Sequence, residues 1–391
     1  MPYLFLNNQL LKKAKILLVG ILICANSFSQ LAPPFNFNLI INVLGKHNGD
    51  TLFVAGNFNN WNPHDNSTMM LPNEQNSYNK TLIIKSNNLI EWKITRGNWD
   101  KVEVDKNGSD ISNRIADLKK ITKENITIQG WKDDFATIQK KHTASPQVRI
   151  MDTAFNLKAL GRKRRIWIYL PKDYSTSNKK YPVLYMHDGQ NLFDAFTSGF
   201  GEWGLDETLD SLFDKTNKSM IVIGIDNLPE KRLQEYNPYD EKDYGNGEGK
   251  QYIKSIVEDL KPFVDKHYRT LPNAENTTIS GSSMGGIISL WALMQYPSVF
   301  KNGGIFSPAF WIAPQFKNDI PVMMRNKKDN LFFYCGGAES KTMESDMDSI
   351  INLIKNVSSS SIVKEFSPSG QHNEQAWHVE LPKFLSILPK Q

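Results

Sequence analysis

Two grains of hydrophobic patterning divide the chain. From about residue 37 to 131, apolar positions come in short runs of β-formers: Phe37 to Leu44, Thr51 to Ala55, Tyr78 to Lys85, Ile90 to Thr95 and Ile126 to Ile128. Turn formers stand between them, at Asn48-Gly49, at Asn107-Gly108 and in the asparagine-rich GNFNNWNP of residues 56 to 63. Short β-branched or alternating runs bounded by such residues, without a 3.6-residue period, predict strands and hairpins. Residues 30–135 therefore read as a small all-β sandwich, immunoglobulin-like in architecture.

From about residue 145 the pattern changes. Arg165 to Leu170, Val183 to Met186, Met220 to Ile225, Thr277 to Ser280, Gly304 to Phe306 and Leu331 to Cys335 are compact apolar runs. Stretches with i, i+3, i+4 spacing, such as Tyr252 to His267 and Ile287 to Tyr296, lie between them. Strands alternating with helices at this spacing predict a mostly parallel sheet covered on both faces, an α/β domain over residues 136–391. The basic run Arg162-Lys163-Arg164-Arg165 reads as a solvated hairpin turn, and the serines at 358 to 361 as a loop.

The first 29 residues stand apart. Lys12, Lys13 and Lys15 precede the apolar run Ile16 to Ala25, and Ser27 and Ser29 flank Phe28 ahead of Gln30. That order is expected of a secretory signal peptide, too short for a comfortable membrane span. It implies a secreted or periplasmic protein without a membrane span. Cys24 raises lipid anchoring as an alternative, which Ile23 disfavours by standing where a lipobox takes a small residue. The net charge of +5 includes the lysines of this segment, so the remainder is nearly balanced and shows no nucleic-acid footprint. Of two cysteines, Cys335 sits in an apolar run and reads as a buried, unreactive thiol.

Candidate chemistry centres on TTISGSSMGG, residues 277 to 286. Gly281-Ser282-Ser283-Met284-Gly285 has the G-x-S-x-G spacing of a nucleophile elbow, a turn tight enough to want glycine on either side of the serine. A β-branched run before it and the helical GIISLWALMQYP after it supply the strand–turn–helix setting of an α/β-hydrolase fold. Ser283 is then the nucleophile. A serine hydroxyl needs a base, and in this fold the acid and base follow the serine in that order. Only His372 and His378 follow Ser283; His372 lies in a Gly-containing loop, whereas His378 falls inside the last helix, facing solvent or packing. For the acid, Glu339 comes just past the run Leu331 to Cys335, while Glu344, Asp346 and Asp348 read as the exposed face of the next helix. Asp226 also ends a strand but precedes the serine.

Acyl transfer also needs donors for an oxyanion. The backbone N–H of Met284, directly after the nucleophile, is one; the N–H of Gln190, behind Gly189 in the loop HDGQNLFD, is the other. His187-Asp188 in the same loop suggests a metal, yet adjacent residues point apart and no third ligand is apparent. The expectation is that neither metal nor cofactor takes part.

YLPKDY, VLYMHDGQNLFD, VIGIDN followed by RLQEYNP, ISGSSMGG, SPAFW, CGGAES and GQHNEQAW, all within residues 145 to 388, resemble the "Putative esterase" family. That family takes in enterochelin-esterase-like hydrolases, carbohydrate esterases such as feruloyl and acetylxylan esterases, and the antigen 85 mycolyltransferases. By resemblance Ser283, Glu339 and His372 take the triad, with Gln190 and Met284 at the oxyanion hole. Many relatives carry aspartate where Glu339 stands. Arg232, Glu235 and Tyr236 match a loop near the substrate cleft, with bracing of that loop as their alternative role. LFVAGNFNNWNP and IEWKITRGNWDKVEVDKNGSDISNR resemble starch- and glycogen-binding modules, in which tryptophans stack on sugar faces. Trp61 and Trp99 are the candidates here, against a packing role that they share with Trp92. These resemblances imply a secreted serine esterase acting on ester-decorated carbohydrate, such as feruloyl or acetyl esters, with a small molecule or a polysaccharide as partner. Two readings compete with it: a catecholate siderophore esterase, and a glycan-binding protein with an inactive hydrolase domain.

Overall fold

The computed structural model describes residues 33–75, 77–85, 88–135, 141–241 and 245–390. The expected signal segment, with Cys24, lies outside the described residues. The described residues form two compact units: those up to Ser109 with Asn113–Lys132, and Asp110–Ser112 with those from Asp133 onward. Among the described residues no helix is long and apolar enough to cross a membrane.

The first unit is a β-sandwich. Phe35–Val43 pairs antiparallel with Ser77–Ile84 and parallel with Lys123–Ile128. A second sheet joins Phe53–Gly56, Leu89–Thr95 and Arg114–Asp117, all antiparallel. Alternation fixes which side chains turn inward: Phe37, Leu39 and Ile41 are fully buried with Tyr78, Trp92, Ile94 and Trp131. Trp92, expected in packing, meets the Phe37 ring edge-on at 6.0 Å. The short pair Glu103–Val104 with Gly130–Trp131 escaped the sequence reading because two residues carry no period.

The second unit is built on one eight-stranded sheet. Its strands are β1 (Val148–Leu157), β2 (Arg162–Tyr169), β3 (Val183–His187), β4 (Ile221–Ile225), β5 (Thr277–Ser282), β6 (Asn302–Phe306), β7 (Asn330–Gly336) and β8 (Ser361–Ser367). They lie in the order β8-β7-β6-β5-β3-β4-β2-β1, with β2 antiparallel to both β1 and β4 and the strands β3 to β8 parallel to one another. This is the α/β-hydrolase sheet, and β5 stands at its centre. The helices are α1 (Leu205–Thr216), α2 (Gly249–Ser255), which runs through a π-turn into α3 (Lys261–His267), then α4 (Met284–Gln295), α5 (Phe316–Met323), α6 (Met343–Val357) and α7 (Glu374–Ile387).

Period-2 alternation splits each strand between two cores. Ile168, Tyr185, Ile223, Ile279, Ile305 and Phe333 join one cluster with α4, while Tyr169, Leu184, Val222, Phe306 and Phe332 join another with Trp377 and Leu381 of α7. Helix α4 is buried all round from Met284 to Met294, which is why it reads apolar on every face. Cys335 is buried, and burial pushes its thiol up to about 12.

Strands β1 and β8 were not expected. Their burial patterns mix exposed and half-covered positions, as edge strands of a sheet do. The basic run is a correction too. It belongs to β2 rather than to a solvated turn: Arg164 is buried, Arg162 pairs with Glu235 and Glu248, and Arg165 pairs with Asp226.

Candidate active site

Strand β5 ends at Ser282, and Ser283 turns the chain into α4 with φ of 59° and ψ of −120°. A serine held at positive φ is strained backbone, and a strained strand-to-helix turn is what lifts a nucleophile above the sheet. The neighbourhood holds it there. Ser283 N–H donates to the Phe306 carbonyl at 2.8 Å, and its own carbonyl accepts from Gly286 at 3.1 Å. A Cβ on Gly281 would meet the His187 ring at 2.9 Å and the Gly285 backbone at 3.0 Å, so the turn admits only glycine there.

Glu339 and His372 come together across two loops at the carboxyl edge of the sheet. The loops touch through glycines: Ala338 N–H donates to the Gly370 carbonyl at 3.0 Å, and a Cβ on Gly336 would meet that oxygen at 2.1 Å. His372 Nδ1 lies 2.8 Å from Glu339 Oε2, with the carboxylate side chain 1% exposed and the imidazole 35% exposed. Glu339 Oε1 accepts from Ser307 Oγ at 2.6 Å and from Gly336 N–H at 2.5 Å. Trp377 Nε1 donates to Ser307 Oγ at 2.8 Å and presents its ring edge-on to His372 at 5.3 Å. An acceptor on Nδ1 sets the tautomer that leaves Nε2 free to take a proton.

The competing groups lie elsewhere. Glu344 and Asp348 pair with Lys364 on the outer side of α6, and Asp346 lies in the first turn of that helix. Asp226 is taken by Arg165 and Trp167, and His378 Nδ1 bonds the Trp203 carbonyl at 2.6 Å. Ser307 and Trp377 were missed as individual residues. The signal was present, since Ser307 opens SPAFW and Trp377 closes GQHNEQAW, but pattern alone does not say that they touch.

The loop after β3 carries Gln190. Asp188 takes φ of 59° and Gly189 follows, where a Cβ would sit 2.7 Å from the Gly224 carbonyl carbon. Gln190 is braced at both ends: its Oε1 accepts from Asn227 N–H at 3.1 Å, and its carbonyl accepts from Thr197 Oγ1 at 2.8 Å. Met284 is the first residue of α4, where a backbone N–H has no partner within the helix.

Arg232 and Tyr236 brace this loop, while Glu235 is tied to β2. Arg232 clamps Asp188 with Nε and Nη2, each at 2.8 Å, and reaches the Ser282 carbonyl at 3.4 Å. Burial alone would raise the Asp188 carboxyl; the guanidinium outweighs it and holds the group below the usual carboxylate range. Tyr236 is fully buried beneath Arg232, and its hydroxyl accepts the Asp188 N–H at 3.2 Å. Glu235 is fully buried between Arg162 and Arg164. A fully covered carboxylate with two guanidinium partners offers nothing to a substrate, which corrects that expectation for Glu235 and, on burial, for Tyr236.

Neither residue of the His187-Asp188 pair is placed as a ligand. His187 bonds Tyr252 through Nδ1 at 2.8 Å, burial pushes it down to about 4, and Asp188 is committed to Arg232. Among the described residues, one acidic group has metal-holding spacing: Glu202, Asp206 and Glu207, with ligand atoms within 4.8 Å of one another. Burial pushes the Asp206 carboxyl above the usual carboxylate range, and the neighbouring Glu207 acts in the same direction. In the first unit, Trp61 and Trp99 stand with ring centroids 6.3 Å apart and planes tilted by 43°, and Trp99 is 39% exposed.

Comparison with known proteins locates these features. The model of the "Putative esterase" family matches residues 158–386, which hold all five expected catalytic and oxyanion positions. An uncharacterized protein of Bacillus subtilis, YbbA, is 27% identical over 212 residues, covering 52% of this chain and 80% of that protein. An endo-1,4-β-xylanase/feruloyl esterase of Xylanibacter ruminicola is 24% identical over 196 residues, covering 49% of this chain; the chain spans only 25% of that relative. Among solved structures, the enterobactin esterase FES of Shigella flexneri superposes with a TM-score of 0.51 at 13% identity, over 91% of this chain and 94% of that one. At that identity the likeness is one of fold.

Proposed function

The chain belongs to the "Putative esterase" family, and from that premise we propose that it is a secreted serine esterase working through Ser283, His372 and Glu339. His372 Nε2 takes the Ser283 proton as Oγ attacks the ester carbonyl, and returns it to the leaving alcohol. The carboxylate of Glu339 fixes the ring and stabilises the imidazolium. The N–H groups of Gln190 and Met284 hold the oxyanion, and water then hydrolyses the acyl-enzyme. The observation that carries this reading is the 2.8 Å bond from His372 to a buried Glu339, taken with a serine strained at a strand-to-helix elbow.

Ester-decorated carbohydrate is the substrate class best supported. The Xylanibacter relative is a feruloyl esterase by name, and the exposed Trp99 beside Trp61 offers the apolar, planar surface that a pyranose face stacks on. A catecholate siderophore calls for basic groups in the cleft, and the one motif-borne candidate, Arg232, is spent on Asp188. An inactive, purely glycan-binding protein is disfavoured by the coupled pair of Glu339 and His372 and by its supports Ser307 and Trp377. Secretion rests on residues 1–29.

A fluorophosphonate probe and a short-chain nitrophenyl ester test the reading together. Ser283→Ala should lose labelling and nearly all turnover, keeping only the residual rate that binding and the oxyanion hole supply. Turnover within twofold of the parent protein would end it.

A further inference from the structure

Glu374 is the second residue after His372 and the first of α7. It is buried, 5% exposed, between a half-buried Asn373 and an exposed Gln375. Its Oε1 accepts from Asn191 Nδ2 at 3.0 Å. Asn191 directly follows Gln190, and its other side-chain atom, Oδ1, accepts from Gly199 N–H at 3.0 Å. The Asn191 carbonyl in turn accepts from Trp203 N–H at 2.9 Å. Gly201 also neighbours Glu374: a Cβ there would make an ordinary contact with Glu374 Cβ at 3.5 Å. One side chain thus spans the two loops whose separation sets the distance between an oxyanion donor and the base.

We propose that Glu374 is a positioning residue of the site, one that ties the Gln190 loop to the His372 loop and tunes the imidazole by its own change of charge. The inference rests on the esterase reading, with His372 as base. The charged groups that act on Glu374 come from three elements: Asp188 of the loop after β3, Arg232 of the bracing helical turn, and His372 of its own loop. Burial dominates and pushes the carboxyl up to about 7, with Asp188 acting in the same direction and Arg232 and His372 against it. Glu374 therefore changes charge in the range where a histidine base works. The interaction is reciprocal: the imidazolium favours the carboxylate, so the carboxylate favours the imidazolium. A neutral Glu374 keeps the Asn191 bond, because the amide still donates to a carboxyl oxygen. Charge and clamp can therefore be separated by substitution.

The experiment is a kcat/KM profile from pH 5 to 9 on a neutral nitrophenyl ester. The parent protein is compared with Glu374→Gln, Glu374→Ala, Asn191→Ala and the Ala double variant. Glu374→Gln keeps an acceptor for Asn191 and removes the charge. It should retain kcat near the parent value at pH 5.5, while its acid limb becomes a single ionisation displaced to lower pH by about half a unit. Glu374→Ala and Asn191→Ala should each lower kcat about tenfold at pH 7, since small misplacements of catalytic groups are costly. The double variant should lose no more than either, because both remove the same clamp. A Gln profile superimposable on that of the parent protein overturns the tuning role. Additive losses in the double variant overturn the clamp. Fluorophosphonate labelling of each variant keeps the two readings apart: labelling at Ser283 with a failed profile sinks this proposal alone, whereas no labelling of the parent protein sinks the esterase mechanism beneath it.

Discussion

Ser307 donates its hydroxyl to Glu339 Oε1 at 2.6 Å, the oxygen that His372 does not use. With Gly336 N–H on the same atom, the carboxylate is held from both ends. Ser307 also accepts the indole N–H of Trp377, so it relays position from α7 to the acid. Removing this hydroxyl leaves Glu339 hinged and strands a buried indole donor.

Ser307→Ala should therefore act on rate and on stability at once. We expect kcat to fall about tenfold with KM little changed, as for a group that positions a catalytic residue. The unpaired Trp377 N–H should cost about 1–3 kcal/mol in denaturant unfolding. An unchanged kcat would show that Gly336 and His372 suffice to place the carboxylate.

Glu339→Gln should keep the bonds from Ser307 and Gly336 but cannot support the imidazolium. Loss of the acid in such triads lowers kcat by roughly 10³- to 10⁴-fold. Glu344→Gln, at the surface pair with Lys364, should leave activity within about twofold, because an exposed ion pair contributes little. Steady-state kinetics of both variants decide between the two carboxylates. A large loss from Glu344→Gln would reverse the assignment.

The elbow and the loops of the second unit were legible because their constraints are local. Gly281 marks a turn where an added Cβ would collide with its surroundings, and compact apolar runs mark central strands buried on both faces. The edges were not legible. β8 carries Lys364 and Glu365 among half-buried apolar residues, and β1 has no clean alternation, since solvent on one side relaxes the pattern. Long-range pairings were the other blind spot. Arg232 reads as a free cation until Asp188, forty-four positions earlier, is seen beneath it. Glu235 reads as a loop acid until β2 supplies Arg162 and Arg164. Polar residues inside a fold are interpretable only with their partners, which sequence order separates.

Arg232→Met should test the brace. Asp188 is 5% exposed and would be left as a buried carboxylate with Asn227 as its remaining side-chain partner. Breaking one half of such a pair typically costs about 3–5 kcal/mol. Urea unfolding should show a loss of that order, accompanied by lower kcat, since Arg232 also reaches the Ser282 carbonyl behind the nucleophile. Stability within about 1 kcal/mol of the parent protein would mean that the loop relaxes and lets water reach Asp188.

The charge of Glu374 also makes a stability prediction, with a definite sign. Its folded-state carboxyl is raised by burial from 4.5 to about 7. A raised acid binds its proton more tightly when folded, so its contribution is fully present below pH 4.5 and is lost as pH rises through about 7. Glu374→Gln should therefore unfold at a higher urea concentration than the parent protein at pH 8, and the difference should close by about pH 4. The shift corresponds to at most about 3 kcal/mol. A difference that stays constant across this range would assign the effect to packing rather than to charge.

Trp99 is 39% exposed, Trp61 stands 6.3 Å from it, and their planes tilt by 43°. Two coplanar rings would favour a flat, extended glycan, whereas tilted rings follow a chain whose successive pyranose faces turn. Stacking on each ring contributes through apolar area and through polarised C–H groups on the π-face. Trp92 cannot share in this, since it is fully buried against Phe37. Trp99→Ala in the full chain should weaken retardation in gels containing soluble starch or glycogen by at least tenfold, equivalent to about 1.4 kcal/mol. Its kcat/KM on a small nitrophenyl ester should stay within twofold, because no residue of the proposed triad lies in this unit. On acetylated or feruloylated polysaccharide the same variant should lose turnover at low substrate and recover it at saturation, as expected when KM rises and kcat does not. Unchanged retardation would assign Trp61 and Trp99 to packing and leave the esterase without a glycan-docking unit.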